Sequence, residues 1–360
     1  MTGEAPRTST PLARLIAAQI RASGPLRLDE YMQLCLLHPE YGYYATRDPF
    51  GAAGDFTTAP EISQMFGEMI GLALAQAWLD QGSPAPFTLA EIGPGRGTLM
   101  ADILRTIKIV PGMAAAAEVV LIEASPHLRE VQRAKLGAIR HLEHVDQLPE
   151  QPLFLVANEF FDALPIRQFQ RTTEGWAERI IALDGAGRLA MGLGAPQAGE
   201  PAPLGEIREI CPAAPAIAAG IGARIAAHGG AAILIDYGNW RGRGDSFQAL
   251  RRHQPDDPLA HPGEADLTAH VDFAPLAHAA QAAGARVSRM RGQGEWLLDL
   301  GIAARAARLE AGGDQGAGAA LSRLTAEAQM GHLFKVLALW APQTPPPPGF
   351  QPWDQDANDP

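Results

Sequence analysis

Cysteine is scarce: Cys35 and Cys211 are the only two among 360 residues. Two cysteines can form at most one disulfide, which is too few to stabilise a fold of this size, and they cannot form a zinc site alone. The composition therefore excludes a disulfide-stabilised scaffold. It is typical of a protein from a reducing compartment, and we expect this one to be cytoplasmic.

Positive charge is outweighed by negative charge, with 29 Lys and Arg against 40 Asp and Glu and a formal net charge of -11. Nucleic acids and anionic membranes bind basic faces, so neither is expected as the main partner. No apolar run approaches the roughly 20 residues that a membrane helix needs. The first residues include Glu4 and do not resemble a secretory signal or a transit peptide. We expect no nucleic-acid partner and no membrane span.

Strand and helix signals alternate from Phe87 onward. Continuous apolar runs such as Leu153 to Ala157 are typical of strands that are covered on both faces. The predicted helices are 99–108, 126–136 and 213–227. The predicted strands are 87–92, 118–123, 153–157, 231–236, and a final pair at 286–298 and 332–340. This alternation predicts βαβ units and an α/β fold around a mostly parallel sheet.

Three regions depart from the alternation. Turn signals between short strand-like runs predict a β-rich antiparallel insertion at about 166–200. Before Phe87 the apolar spacing is mainly helical, which predicts a helical N-terminal segment over 10–82, packed over the active site. The main domain would then cover 83–341, with a flexible loop at 312–318. Four consecutive prolines, at 345–348, predict an extended or disordered tail over 342–360.

The N-terminal segment contains several local signals. Thr10 and Pro11 are typical of a helix start. Loops are expected at 38–44 and 51–60, and Thr58 to Glu61 fits a capping box before a buried helix.

A glycine-rich turn between the first predicted strand and helix is the strongest chemical signal. It contains Glu91, Gly93, Pro94, Gly95 and Gly97. Such a turn lets a ligand approach the backbone, and the helix start offers unpaired N–H groups. The glycine spacing departs from the dinucleotide fingerprint and favours S-adenosylmethionine over NAD. A tight strand-to-helix turn without a ligand is the alternative.

Acidic and amide side chains follow two further strands. Glu123 ends the second strand, where a carboxylate can bind ribose hydroxyls. Asn158, Glu159 and Asp162 come just after a buried strand, and ligands bind at the carboxyl ends of such strands. We expect these three residues at the reacting centre, although a polar turn at the rim of the sheet remains an alternative.

Longer segments carry a family resemblance. They are His38 to Tyr44, Gly54 to Glu68, Glu91 to Gly97, Val119 to Pro126, Asn158 to Pro165, Ile235 to Gly238 and His261 to Phe273. In these segments, from about residue 10 to 341, the chain resembles the MidA-type methyltransferases. The resemblance implies a class I methyltransferase fold, Rossmann-like, that binds S-adenosylmethionine. It also implies methylation of an arginine on a protein partner, a subunit of respiratory complex I.

Site roles follow from these patterns together. We predict Glu159, Asp162, Asn158 and Glu61 as catalytic residues, because carboxylates recognise the planar guanidinium group, and Glu68 could assist. The cofactor would contact Glu91, the glycine turn, Glu123 and Asn158. The polar residues around the start of the buried helix, Asp55, Thr58 and Gln64, would close over it.

Other features leave alternatives open. Tyr41, Tyr43 and Tyr44 line a substrate channel or simply pack. The residues His261, Asp266, His270 and Asp272 lack tight ligand spacing, so no metal is expected. Asp236 ends a strand and can be read as its terminator. A non-catalytic assembly factor and a small-molecule methyltransferase remain rival functions, and the sequence leaves the oligomeric state open.

Overall fold

A computed structural model describes residues 10–46, 58–137, 139–242 and 244–353. These residues form thirteen α-helices: α1 (Pro11–Ser23), α2 (Leu28–Leu37), α3 (Tyr43–Thr46), α4 (Ala59–Ile62), α5 (Gln64–Asp80), α6 (Thr98–Ile107), α7 (Met113–Ala116), α8 (Pro126–Leu136), α9 (Ala214–His228), α10 (Phe273–Ala282), α11 (Gln293–Asp299), α12 (Ile302–Ala311) and α13 (Ala317–Thr325). A 3₁₀ turn (Val145–Gln147) and a π turn (Glu327–Gly331) complete the helical elements of this part of the chain.

The same residues form seventeen strands: β1 (Leu26–Arg27), β2 (Phe87–Ile92), β3 (Ala117–Ile122), β4 (Arg140–Leu142), β5 (Leu153–Asn158), β6 (Arg167–Arg171), β7 (Trp176–Leu183), β8 (Leu189–Leu193), β9 (Ile207–Ile210), β10 (Gly230–Asn239), β11 (Gln248–Arg251), β12 (Gln254–Asp256), β13 (Asp266–Thr268), β14 (Val271–Asp272), β15 (Arg286–Val287), β16 (Arg291–Gly292) and β17 (Phe334–Trp340). Across the described ranges, no helix is long and apolar enough to cross a membrane.

The chain divides into two compact units. One contains the described residues of Met1–Phe56, Ala163–Ala213 and Gly242–His270, and the other those of Thr57–Asp162, Ala214–Arg241 and Val271–Pro360. Both units are built from segments that are distant in sequence. The division falls between α3 and α4, inside the segment that we predicted as one piece over 10–82.

The larger unit is built on a nine-stranded sheet with the order β15-β17-β10-β5-β2-β3-β4, in which β14 pairs with β10 and β16 with β17. Strands β10, β5, β2, β3 and β4 run parallel to one another, and β17 is antiparallel to β10. The predicted α/β fold with a mostly parallel sheet is confirmed. Chain order reverses around β2, which lies between β3 and β5, and such a switch point opens a crevice at the carboxyl ends of the strands.

The core of this unit explains why polar and apolar residues do not alternate along its central strands. Every residue of β2 and β5 is buried. Helix α5 contributes Met65, Phe66 and Ile70 to the cluster that covers one face of the sheet. Because both faces are covered, alternation of polar and apolar residues is lost along these strands.

The smaller unit has its own core and confirms the predicted β-rich insertion. Its five-stranded antiparallel sheet has the order β1-β7-β6-β9, with β8 paired to β7. Helix α1 begins as the sequence predicts, because the Thr10 hydroxyl accepts a hydrogen bond from the amide of Ala13 at 3.1 Å. Leu12, Ile16 and Met32 pack into the core of this unit.

Three local predictions are wrong. The region 286–298 is not one strand: β15 and β16 contribute two residues each, and helix α11 follows. Gln293, Trp296 and Leu297 are buried at helical spacing, and Gly294 lies so close to Thr325 that a Cβ would be 2.3 Å from its carbonyl oxygen.

The other two errors concern loops. Tyr43 and Tyr44 open the short helix α3 instead of continuing a loop, and α13 begins at Ala317, inside the expected flexible loop.

The proline-rich segment is also ordered as far as the structure describes it. Phe350 and Trp353 are each 5% exposed, and their rings pack against Trp296 and Trp240 with centroids 5.4 and 4.8 Å apart. Burial of these aromatic side chains holds residues 342–353 in place, so the expectation of a disordered tail is wrong for them.

Candidate active site

The glycine turn after β2 adopts a conformation that side chains rarely tolerate. Gly93, Gly95 and Gly97 have φ angles of 64°, 50° and 73°, all in the left-handed region. A Cβ at Gly93 would lie 3.0 Å from the Phe160 ring, and one at Gly97 would lie 3.0 Å from Leu136. The amide of Gly97 donates to the carbonyl of Pro94 at 2.7 Å, which tightens the turn just before α6. Glycine is therefore required for conformation and for space.

Glu91 is a buried carboxylic acid directly beneath this turn. It is 3% exposed, and burial raises its pKa to about 8, against the opposing effect of a hydrogen bond from the Met100 amide in the first turn of α6. Its Oε2 finds no hydrogen-bond partner among the residues that the structure describes. A buried acceptor of this kind can receive a proton or a ligand donor.

Glu123 follows β3 at the same edge of the sheet. Its Oε1 accepts from the amide of Ser125 at 2.7 Å, and its Oε2 accepts from the side chain of Gln132 at 3.2 Å. Burial raises its pKa, while these hydrogen bonds act in the other direction. Each carboxylate oxygen has a second lone pair, so the group can still accept from a pair of hydroxyls.

Asn158, Glu159 and Asp162 belong to the turn after β5. Glu159 has a φ of 50°, which is uncommon for a residue other than glycine and is found most often at functional sites. Asn158 donates to Glu159 Oε1 at 3.2 Å, and its own Oδ1 has no partner within the described part of the chain. The structure thus brings the predicted catalytic amide and carboxylates together at the end of one strand.

Asp236 of β10 holds this turn in place. Its Oδ2 accepts hydrogen bonds from the amides of Phe160, Phe161 and Asp162 at 3.1, 2.9 and 3.3 Å. Its Oδ1 accepts from the amide of Tyr237, whose hydroxyl donates to Asp162 at 2.7 Å. Asp236 is fully buried and does more than end a strand.

Crowding of carboxyl groups shapes the electrostatics of the turn. The carboxyl of Glu159 is enclosed by protein atoms although the residue as a whole is partly exposed. Desolvation, together with the charge of Asp162, raises the pKa of Glu159 to about 7. Burial, together with the charges of Asp162 and Glu159, raises the pKa of Asp236 well above its usual range. A cation arriving here would favour the ionised forms.

Glu61 lies on the glycine-turn side of the site. Its Oε1 accepts from the hydroxyl of Thr98 at 2.6 Å, and that hydroxyl accepts from Lys135 at 2.7 Å. Helix α4 reaches the other turn too, because the amide of Ala59 donates to Glu159 Oε1 at 3.3 Å. The short helix α4 therefore touches both turns.

The predicted capping box at Thr58 is wrong. Thr58 precedes α4, but its side chain makes no cap. The Glu61 carboxylate, which would complete the box by accepting from the Thr58 amide, accepts from Thr98 instead. The helix also breaks at Ser63, whose hydroxyl accepts from Met65 and starts α5 anew.

Two predicted residues stand apart from the turns. Gln64 is exposed and accepts from Arg105 at 3.4 Å, so its cofactor role stays a prediction. Glu68 is paired with Arg305 through bonds of 2.6 and 3.0 Å, so it is not available to a substrate guanidinium. Asp55 lies outside the described residues.

The residues present fit S-adenosylmethionine. The glycine turn exposes backbone where a side chain would clash, and the Oε2 of Glu91 and the Oδ1 of Asn158 are buried acceptors without a protein donor in the described ranges. The carboxylates of both turns would complement a sulfonium cation.

Two buried residues arrange the site although neither was predicted to do so. Gln132 and Asp236 are both fully buried. The unbroken apolar run before Asp236 was an available signal, since a carboxylate at the end of such a strand needs buried donors. Gln132 carried no signal of its own, because it lies on a helix with many polar residues.

A family comparison agrees with this geometry. Residues 69–291 match the model of a family described as "Putative S-adenosyl-L-methionine-dependent methyltransferase". The matched range includes the glycine turn, Glu123, the turn after β5 and Asp236.

Individual relatives extend the match to most of the chain. The chain is 34% identical over 331 residues to a protein of Bos taurus named "Protein arginine methyltransferase NDUFAF7, mitochondrial", covering 83% of this chain and 75% of the relative. The Homo sapiens protein of the same name is 36% identical, with 82% and 74% covered.

A solved structure is similar over almost its full length. A Burkholderia thailandensis protein, crystallised with S-adenosyl-homocysteine, has a TM-score of 0.80 and 31% identity, covering 94% of this chain and 95% of that one. The family resemblance inferred from the sequence is thereby confirmed.

Proposed function

We propose that this chain, which belongs to the S-adenosyl-L-methionine-dependent methyltransferase family, methylates an arginine side chain of a protein partner. The observation that supports this most is the turn after β5, where Asn158, Glu159 and Asp162 lie together. The names of the relatives, which are protein arginine methyltransferases, point the same way.

The cofactor side of the proposed site uses the ends of β2 and β3. S-adenosylmethionine, when bound, supplies a methyl group on a positively charged sulfur. The glycine turn and the start of α6 would offer backbone N–H groups to the anionic end of the cofactor. Glu123 would accept from the ribose hydroxyls, and Glu91 and Asn158 would supply buried acceptors.

The acceptor side depends on carboxylates. A guanidinium group is planar, stays protonated at neutral pH and binds carboxylates through paired hydrogen bonds. Glu159 and Asp162 would orient it, and would localise its positive charge on the nitrogen that they bind. The other nitrogen would then be more nucleophilic, and the proton that it loses on methylation would pass to solvent. Methyl transfer requires in-line approach, so holding this nitrogen in place would supply much of the rate.

We infer a narrower partner from the resemblance to MidA-type enzymes, a subunit of respiratory complex I. We propose the cytoplasm as the compartment because of the cysteine content, whereas the animal relatives carry the word mitochondrial in their names. Thr58, Gln64 and Asp55 are retained as proposed contacts near the cofactor.

The direct test is an incubation of purified chain, labelled S-adenosylmethionine and candidate complex I subunits, followed by intact-mass and fragment-mass analysis. The proposal expects label on an arginine of one subunit. Label on another residue type, or turnover only on small metabolites, would contradict it. Cofactor binding without transfer to any candidate would instead favour the assembly-factor alternative.

A further inference from the structure

Gln132 of α8 connects the two parts of the proposed cofactor site. Its Nε2 donates to the carbonyl of Gly95 at 2.7 Å and to Glu123 Oε2 at 3.2 Å. Its side chain is fully buried. One amide group therefore fixes both the glycine turn after β2 and the carboxylate after β3.

The chemistry of the neighbours sets the orientation of this amide. A carbonyl and a carboxylate only accept hydrogen bonds, so the amide nitrogen must face Gly95 and Glu123. The amide oxygen then faces His141 of β4, whose Nε2 lies 2.8 Å away. That ring nitrogen must carry a hydrogen, and it does so in the protonated imidazole as well. The link to His141 consequently survives a change in the charge of the histidine.

The packing beside the turn depends on the same side chain. A Cβ placed on Gly97 would lie 3.5 Å from Gln132 Cγ and 3.0 Å from Leu136 Cδ1. Helix α8 thus supports the glycine turn from one side through Gln132 and Leu136, while Gln132 also restrains Glu123.

We propose that Gln132 is a positioning residue for S-adenosylmethionine binding: it holds Glu123 and the Gly95 carbonyl in the arrangement that the ribose and the glycine turn require. Gln132 acts through these two groups and does not touch the cofactor. The inference rests on the proposed ribose contact of Glu123, and it is independent of the identity of the methyl acceptor.

The test is calorimetric binding of S-adenosylhomocysteine to the full chain and to three variants. Q132E keeps the shape but places a carboxylate against Gly95 O and Glu123, and Q132M removes the hydrogen bonds. Q151E is the matched control, because Gln151 Nε2 donates to Thr88 at 2.8 Å and to the carboxylate of Glu118 at 3.1 Å, at the opposite edge of the sheet. Thermal melting of each variant reports on folding.

Q132E should weaken binding at least about tenfold, which is about 1.4 kcal/mol, and Q132M should weaken it less. Q151E should bind within about twofold of the parent, because the two hydrogen bonds that it loses, to Thr88 and Glu118, involve neither the glycine turn nor Glu123. Wild-type affinity in Q132E overturns the proposal. If Q132E does not fold, wild-type affinity in Q132M overturns it instead.

A double-mutant cycle with E123Q separates positioning from general destabilisation. If Gln132 acts through Glu123, the loss in E123Q/Q132M is smaller than the product of the two single losses. Independent losses that multiply would overturn the proposal. Unchanged affinity in E123Q would overturn the ribose contact and this inference together, whereas loss in E123Q with none in either Gln132 variant would overturn this inference alone.

Discussion

Burial controls the charge of individual acidic residues at the ends of the strands. The pKa of Glu91 is raised to about 8 and that of Glu159 to about 7, because desolvation disfavours their ionised forms. Both carboxyls thus take up protons more readily in the folded chain than in the unfolded one. A bound sulfonium or guanidinium would reverse this preference, so ligand charge and carboxyl ionisation are coupled here.

Glu91 should make the stability of the ligand-free protein depend on pH. Between about pH 4.5 and pH 8 the folded state holds a proton on Glu91 that the unfolded state has released. The free energy of unfolding should therefore fall as pH rises through this window, by at most about 1.4 kcal/mol per pH unit from this group. E91Q should reduce the slope, as measured by denaturant unfolding at several pH values from 5 to 8.

The matched control for this prediction is E118Q, because Glu118 lies on the neighbouring strand β3 with a side chain that is 42% exposed, whereas Glu91 is buried. It should retain the slope of the parent. If the free energy of unfolding has the same slope against pH in E91Q and in the parent, burial does not keep the Glu91 carboxyl group neutral.

The turn after β5 is the element on which the proposed catalysis depends. Its shape is imposed by Asp236, which accepts three consecutive amides of the turn and allows the left-handed conformation of Glu159. A turn held from the adjacent strand keeps its side chains in place without a rigid helix of its own.

D236N should disturb this turn. An asparagine offers one acceptor oxygen in place of two, so at least one of the four amides would face an NH₂ group, at a cost of about 1–3 kcal/mol. Methyl transfer should fall at least about tenfold, with affinity for S-adenosylhomocysteine less affected. Kinetics and calorimetry on the same preparation would measure the two effects.

E68Q provides the comparison for D236N. It alters a buried carboxylate that is bound to Arg305, so it should lower the melting temperature but retain the turnover number. If E68Q and D236N lose turnover in proportion to their loss of stability, methyl transfer does not depend specifically on the hydrogen bonds by which Asp236 holds the turn.

The elements that the sequence predicted best are those with clear local boundaries. The bounds of β2 and α8 match the prediction, because β2 ends at the glycine turn and α8 begins at Pro126, capped by Ser125. Helix α11 was missed because its buried large apolar residues, Trp296 and Leu297, are adjacent in sequence and also fit a buried strand. The capping box failed because the local signal at Thr58 cannot reveal that Thr98, distant in sequence, takes the carboxylate of Glu61.

At the scale of the whole molecule, the sequence predicted the architecture of the larger unit but not how the chain is divided. Residues 10–46 belong to the smaller unit, whereas the residues that begin at Thr58, with α4 and α5, belong to the larger unit. Both stretches are helical. Helical periodicity shows that a face is buried and does not say against which partner. Motif order was more informative, since it located the glycine turn, Glu123 and the turn after β5 at one edge of one sheet.

We propose that carboxylates of the turn after β5 orient a guanidinium beside the cofactor, and the double variant E159Q/D162N is the sharpest test of this role. Amides keep the shape of both side chains but remove their charge. The exposed pair D146N/E150Q, on the same unit, carries the same chemical changes and serves as the control.

The measurement is the rate of methyl transfer to the protein acceptor, with the affinity for S-adenosylhomocysteine determined on the same samples. We expect the rate of E159Q/D162N to fall at least about tenfold, or about 1.4 kcal/mol of transition-state stabilisation, while cofactor affinity stays within about threefold and the control pair retains full activity. Full activity in E159Q/D162N would contradict the account, because the acceptor would then be held by other residues or would not be an arginine.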